Sequence, residues 1–488
     1  MGSRSRVFVA AVAFGLAWFR ASPISAQTGE PAAFRAYHDQ VFFSSNNELW
    51  RTDGTRKGTQ PLGSEFRTWV RAEGHLFFEL GVTLFGVRDD LHTVEQLTGD
   101  NVIVDLGFAG FRRSAWDAEH RILYFVARTP GLGWQIWRSD GTKRGTIAAT
   151  RLPQSGYLPT QLCVFHGALF FNAANAPTGS PASSALWRSL GTPQSTQVVL
   201  SGMVVHQPQV LDDRFVFLGF GPLGGGRIWT SDGTSGGTAP VSSLPDAEYF
   251  TNIVASRTIG DRALYLLEDP AGGRQLWGTD GTSEGTQRLT SFPSGAGFPD
   301  YFSFVSTTLR GSAAFAVDDG LHGVELWLSG GTRETTRLLK DVCPGICSGA
   351  ADGGIVIGTK LLFPGHDAKG WEPWVSDGTR KRTHRVADTC LGSCGDYAPR
   401  FSALGSTAIF TSDDGDTHRL WITDGSAAHT FALATFRGSN GVTPFFDNPS
   451  VSGRLIFAAD DSSHGLEPWS TDGTPAGTRL LKDTRPSQ

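Results

Sequence analysis

Apolar residues in this chain come in short alternating runs that stop at clusters of Asp, Gly, Ser and Asn. A period of two over such short stretches predicts β-strands and argues against helices. Near the C-terminal end, residues 449–451 lead to Gly453, 454–459 form one run, 460–465 a turn, 466–470 a second run and 478–482 a third. The same order returns at 401–404, 408–411, 419–422 and 430–434, so each unit holds four strands, labelled A to D. Strand B carries a bulky apolar pair in most copies, as at Phe42 and Phe43, Phe77 and Phe78, Phe170 and Phe171, or Leu362 and Phe363. A small sheet that is apolar on both faces has to be covered twice, and stacking on like sheets does this.

Strand C carries a Trp, followed two or three residues later by a turn of Asp, Gly and Thr, as in Trp50, Arg51, Thr52, Asp53, Gly54, Thr55. The phrase returns around Trp137, Trp187, Trp229, Trp277, Trp327, Trp374, Trp421 and Trp469, with a weaker copy at Phe85, where Arg88 stands in the Asp position. Copies 35 to 52 residues apart have the spacing of propeller blades. The expected fold is all-β, a β-propeller of about ten four-stranded units over residues 27–488, with two five-bladed propellers as the alternative. No linker rich in Pro, Ser or charge parts the halves, which favours one array. With whole units at both ends, a ring has to close by face packing between first and last blades, without a shared sheet.

In the turn, Asp is expected to accept hydrogen bonds from the following amides while Gly takes a positive φ. A second Gly (Gly58, Gly145, Gly237, Gly285, Gly477) is read as adjusting the backbone before strand D. The Trp is expected to pack between neighbouring blades. Leu190 and Gly330 replace the Asp in units four and seven while Trp187 and Trp327 remain, so packing is the stricter demand.

These residues resemble the bacterial ELWxxDGT repeat family, named for the phrase seen at 48–55 and 325–332 and most fully, with its downstream Gly-Thr and Leu-Leu-Lys-Asp tail, at 467–483. The likeness covers essentially the whole chain after residue 26 and implies an exported, β-propeller-like protein, often with no assigned biochemical activity. The turn is also similar, over a shorter stretch, to the Asp-box hairpin of sialidases and sortilin-like propellers.

Charge and the N-terminal residues bear on location. Residues 1–26 read as a signal peptide: Arg4 and Arg6, an apolar stretch over 7–18, then small residues ending at Ala26. Arg20 interrupts the stretch, which is short for a membrane anchor. Cleavage leaves no membrane span and implies a secreted, periplasmic or cell-surface protein. Its loss removes three Arg and no acid from a chain of formal charge −5, and an acidic chain is ill suited to nucleic acid. Nothing in the sequence sets an oligomeric state.

Candidate chemistry gathers in the B to C loops, which emerge with the D to A connections on the face opposite the Asp-Gly-Thr turns. The ligand-binding candidates are Asp319, His322 and Glu325; Asp367, Trp371 and Glu372; Asp461, His464 and Glu467; and Trp134, which precedes Gln135 as Trp371 precedes Glu372. Oxygen ligands at this density suit Ca²⁺, yet no copy has EF-hand spacing, so the preferred reading has no metal and no cofactor: Asp and Gly make the turn and Glu pairs with a neighbouring blade. In a secreted chain, Cys343 and Cys347 in one D to A loop, and Cys390 and Cys394 in the next, are expected to form a disulfide within each loop, with a four-thiolate zinc site as the alternative. Cys163 reads as a buried thiol. No Gly-x-Ser-x-Gly elbow, His-Glu-x-x-His helix or phosphate loop occurs, and His38, His75, His166 and His206 stand apart from any nucleophile, so no catalytic residue is assigned. The expectation is a non-enzymatic protein that binds an extracellular protein or glycan through the B to C and D to A face. An extracellular polysaccharide hydrolase or lyase using Glu325, Glu372 or Glu467 is the alternative.

Overall fold

In every unit the strand C aromatic lies directly opposite an aromatic on strand B. The pairs are Phe43 with Trp50, Phe78 with Phe85, Phe125 with Trp137, Phe171 with Trp187, Phe217 with Trp229, Tyr265 with Trp277, Phe315 with Trp327, Phe363 with Trp374, Phe410 with Trp421 and Phe457 with Trp469. Cross-strand aromatic pairs are a main source of sheet stability, so one such pair per unit keeps the motif recurring.

The computed structural model describes residues 32–484 except 73, 88–93, 108–111, 154–157, 177–182, 222–225, 242–251, 269–273, 294–307, 352, 390–397, 414–416 and 443–448. The signal-peptide stretch, Arg88, Cys390 and Cys394 therefore lie outside the described residues. Within them the chain makes ten antiparallel meanders in sequence order. Blade 1 comprises Ala32–Tyr37, Gln40–Ser45, Glu48–Thr52 and Gln60–Ser64; blade 10 comprises Ser450–Val451, Arg454–Asp460, Leu466–Thr471 and Arg479–Leu480. Two blades depart from four strands among the described residues: Ile103–Asp105 adds to strand Ile122–Thr129 as a fifth in blade 3, and blade 7 has three, Ala313–Asp318, Val324–Ser329 and Arg337–Lys340. Strands A meet between blades 3 and 4, 4 and 5, 5 and 6, and 8 and 9, which puts them at the centre and strands D at the perimeter.

One hydrophobic cluster fills each junction between blades. Phe42 packs with Leu76 and Phe78 of blade 2, while its neighbour Phe43 faces Ile456 and Leu466 of blade 10. Successive strand residues point to opposite faces, so the apolar pair on strand B serves one neighbour each. Blades 5 and 6, where two five-bladed rings would part, share Leu218, Ile228, Ala263 and Tyr265 in one cluster. The last junction joins Phe34, Val41, Phe43 and Trp50 of blade 1 to Val451, Ile456, Ala458, Leu466 and Leu481 of blade 10. Thr484 adds hydrogen bonds with the Ser45 hydroxyl and the Asn46 amide. The protein is thus a single ten-bladed ring closed by face packing, with no strand shared across the seam, and the two-ring alternative is excluded.

The Asp-Gly-Thr turn forms as expected. The Thr55 amide and hydroxyl donate to Asp53 Oδ1 at 2.8 and 2.6 Å, and Gly54 has φ 84°. The second Gly has a different reason from the one the sequence suggests. A Cβ on Gly58 would lie 2.1 Å from Asp53 Oδ1, so in this turn the carboxylate occupies the space a side chain would need, whereas blades 8 and 9 keep Asp377 and Asp424 with Arg382 and His429 in the matched place. Units four and seven carry a compensated swap: with Leu190 and Gly330 in the Asp place, Ser195 and Thr335 stand where the second Gly would be. Their hydroxyls take over the turn, Ser195 Oγ accepting from the amides of Leu190 and Thr192, and Thr335 Oγ1 from that of Thr332. Beneath every full turn a hydroxyl pair seven residues apart closes the hairpin, as at Thr52 with Thr59 and Ser376 with Thr383.

Candidate functional site

The recurring Glu of the repeat sits at the base of the loop face, and its environment decides what the loops can do. Glu325, Glu372 and Glu467 are each 0% exposed. Glu325 Oε1 accepts from the amides of Val342 and Cys343; Glu372 Oε2 accepts from the amide and hydroxyl of Thr389; Glu467 Oε2 does the same for Thr484. Each Glu pins the segment after its own strand D to strand C, where the sequence reading had it pairing with a neighbouring blade. The physical reason is that this segment leaves the ladder with unpaired amides, which a buried carboxylate satisfies. Gln135 and Gln275 fill the same place in blades 3 and 6, their Oε1 atoms accepting from the amides of Leu152 and Phe292. Burial pushes the Glu325 carboxyl up to about 7 against the two amide hydrogen bonds, with Asp341 adding like-charge repulsion. Glu79, buried in blade 2 and bonded to the Leu106 amide, is likewise raised to about 7 by burial.

The Asp and His candidates form self-contained clamps. Asp319 Oδ1 accepts from the amides of Leu321 and His322, and its Oδ2 lies 2.7 Å from His322 Nδ1. Asp461 repeats this with Ser463 and His464, the ring nitrogen at 2.8 Å. The Asp hydrogen bond raises both His322 and His464 above the usual imidazole value. Burial pushes Asp319 and Asp461 up, but the hydrogen bonds from His and amides outweigh it and hold both below the usual range. Asp367 accepts from the Lys369 amide and pairs with Arg385 at 3.2 Å. Trp371 lies 5.0 Å from the His366 ring, and Trp134 packs, half-buried, on the cluster between blades 3 and 4.

Cys343 and Cys347 are joined in a disulfide with Cα atoms 5.4 Å apart, as the local pairing requires. Cys163 is buried, and burial pushes its thiol up to about 12. His366, which no sequence signal marked, stands beside the disulfide: one of its ring nitrogens and both sulfurs lie within 4.8 Å of one another. Its neighbourhood is created by the return of the D to A loop across the next blade, a long-range contact that local patterning does not encode.

A groove of about 400 Å³ lies between blades 6 and 7. Phe292 and Trp327, edge to face at 5.3 Å, form its apolar wall. Asp319, Leu321 and Arg333 line the blade 7 side, and Leu321 is 69% exposed. The sequence reading reached Asp319 but missed this groove, because Phe292 and Trp327 come together only through blade stacking.

These features define a ten-bladed β-propeller class of protein. No family model and no curated protein matches the chain. Solved structures to which it is similar include puromycin hydrolase, at 15% identity and a TM-score of 0.36 over 82% of this chain and 60% of that one. The β-propeller domain of the trilobed protease from Pyrococcus furiosus is matched at 13% identity and a TM-score of 0.29, over 67% and 99% of the two chains. The Niastella koreensis GH74 enzyme is matched at 11% and 0.32, over 84% of each. The chain thus spans about 60% of the length of the puromycin hydrolase it resembles. Among the described residues no helix is long and apolar enough to cross a membrane.

Proposed function

We propose that this chain is an exported, non-enzymatic propeller of the ELWxxDGT repeat type that binds an extracellular glycan or protein through its B to C and D to A loop face. One observation carries the reading. The groove between blades 6 and 7 sets flat apolar rings, Phe292 and Trp327, and the exposed Leu321 beside the Arg333 guanidinium, the combination that sugar rings and peptide side chains use. The burial of Glu325, Glu372 and Glu467 supports binding over the polysaccharide-cleaving alternative, since each is 0% exposed and has one carboxylate oxygen held by backbone amides. Export rests on the pattern of residues 1–26.

A glycan array run with the purified chain, beside reducing-end release from mixed polysaccharides, tests this. Retention of a ligand without release is expected, with Leu321→Asp and Arg333→Ala each weakening it at least tenfold. Release that disappears on a single Glu→Gln change would overturn the reading.

A further inference from the structure

The loop that leaves blade 7 brings Cys343 and Cys347 against strand B of blade 8, Lys360–Asp367, at the one point where that strand offers an imidazole. The matched strand positions in blades 7, 9 and 10 hold Asp318, Asp413 and Asp460; blade 8 holds His366. The two sulfurs and a ring nitrogen lie within 4.8 Å of one another. Around a tetrahedral Zn²⁺ the corresponding ligand atoms sit roughly 3.5–3.8 Å apart, so small side-chain rotations suffice once the sulfurs separate. A second observation points to a ligand: His366 Nδ1 is buried and has no hydrogen-bond partner among the described residues. A buried ring nitrogen left unsatisfied is costly, and no hydrogen bond at Nδ1 opposes the small ring rotation that ligation requires.

We propose that reduction of the Cys343–Cys347 disulfide opens a site in which both thiolates and the His366 imidazole bind one thiophilic closed-shell cation, Zn²⁺ or Cu⁺. The chemistry balances with a thiol reductant. Two equivalents of thiol give up two electrons and two protons, the S–S bond breaks, and a new disulfide forms between the reductant sulfurs. Metal binding then displaces the two cysteine protons. Two thiolates and an imidazole suit either ion, Zn²⁺ keeping a fourth position for water and Cu⁺ satisfied by three ligands.

The loop is built to survive opening. Its base is pinned by the Val342 and Cys343 amides on Glu325, by the Gly349 amide on the Val324 carbonyl and by the His366 amide on the Gly349 carbonyl. The disulfide spans a sequence separation of 4, the short end of the range, where it constrains the unfolded chain least. Ile346 at the tip is 87% exposed, so a small reductant reaches the loop.

The unmutated chain, reduced with a phosphine under argon, is alkylated with and without one equivalent of Zn²⁺ or Cu⁺, and each cysteine is followed by peptide mass spectrometry. Protection of both Cys343 and Cys347 by roughly tenfold or more is expected, together with protection of His366 from diethyl pyrocarbonate and no ion uptake by the oxidised chain. His366→Gln weakens binding at least as much as loss of an outer-shell partner does, about 10- to 100-fold. Protection by Zn²⁺ alone assigns the site with an open position, and by Cu⁺ alone the three-coordinate one. Equal labelling of Cys343 and Cys347 with and without either ion overturns the proposal. So does protection of the cysteines that leaves His366 as reactive as before.

Discussion

A single carboxylate oxygen, Asp53 Oδ1, decides two other positions in its turn, Thr55 as donor and Gly58 as the residue without a Cβ. The chain contains three solutions at this place: Asp with Gly, replacement of both as at Leu190 and Ser195, and Asp kept with Arg382 or His429, whose side chains pair with Asp377 and Asp424. Asp53→Leu and Gly58→Ser are each expected to destabilise, while the double variant recovers about 1 kcal/mol relative to their sum; urea unfolding of the four proteins in a double-mutant cycle measures it. Glu325 gives a pH prediction. Its carboxyl is raised from 4.5 to about 7, so the folded chain holds this proton more tightly than the unfolded one. That contribution is fully present below pH 4.5 and is lost as pH rises through about 7. Glu325→Gln, for which Gln135 and Gln275 are precedents within the same chain, is therefore expected to leave stability at pH 5 little changed. At pH 8 it should add on the order of 2 kcal/mol after allowance for solvent screening, read from denaturant midpoints at the two pH values. His322 and His464, raised by Asp319 and Asp461, tilt stability in the same direction, since each contributes below the ordinary imidazole value and ceases to as pH rises past its folded value. The Asp and Thr of the turn were legible in sequence because their partners are two residues away. The buried Glu was visible as a repeated letter, but its partners lie seventeen residues on, beyond what local pattern reports.

At the scale of the element, the facing aromatic pair does more than either strand's propensity. Trp374 stands opposite Phe363, its ring 6.3 Å away, and both belong to the cluster between blades 7 and 8. Trp374→Ala is expected to cost about 3–5 kcal/mol, and Phe363→Leu less, since Leu refills part of the space. Thermal unfolding followed by tryptophan fluorescence ranks the two. Strand A was the element the sequence described least well. In blades 4 and 5 it contains Gln161 and Gln207 at φ 58° and 48°, where the register with strand B shifts. Gln161 Oε1 accepts the Gln207 amide across the blade junction, a bond that depends on adjacent inner strands meeting at the axis. A bulge of this kind bends an edge strand and re-aims its residues, and alternation of apolar letters gives no sign of it.

For the whole molecule, nine junctions are reinforced by the chain that runs through them, and the tenth, between blades 10 and 1, is held by non-covalent contacts alone among the described residues. Equal truncations should therefore act unequally. Ile456→Ala, at the seam, is expected to enlarge the particle in small-angle scattering under mild urea before Leu218→Ala, between blades 5 and 6, does so. Matching profiles for the two variants would show that covalent continuity adds nothing to a junction. The usual four strands per unit, the bulky pair on strand B, the Trp on strand C and the Asp and Thr of the turn were legible in sequence, because each repeats ten or nearly ten times, whereas the facing of Trp and strand B aromatic and the reason for the second Gly came from the structure. Ring closure was legible only as a requirement, because whole units at both ends state the problem without stating which blade meets which.

What the sequence determined by itself was the unit: a four-stranded antiparallel sheet with an apolar pair for each neighbour, a Trp on the third strand and an Asp-Gly-Thr turn after it. Those features depend on residues close in the chain, whose spacing fixes their geometry. The tertiary structure alone decided that ten units make one ring, that the repeated Glu is buried under its loop, that Phe292 and Trp327 wall a groove, and that His366 meets Cys343 and Cys347. Each of these brings together residues far apart in the chain, the Glu across its own hairpin and the others across neighbouring blades, and no local run of letters encodes such contacts.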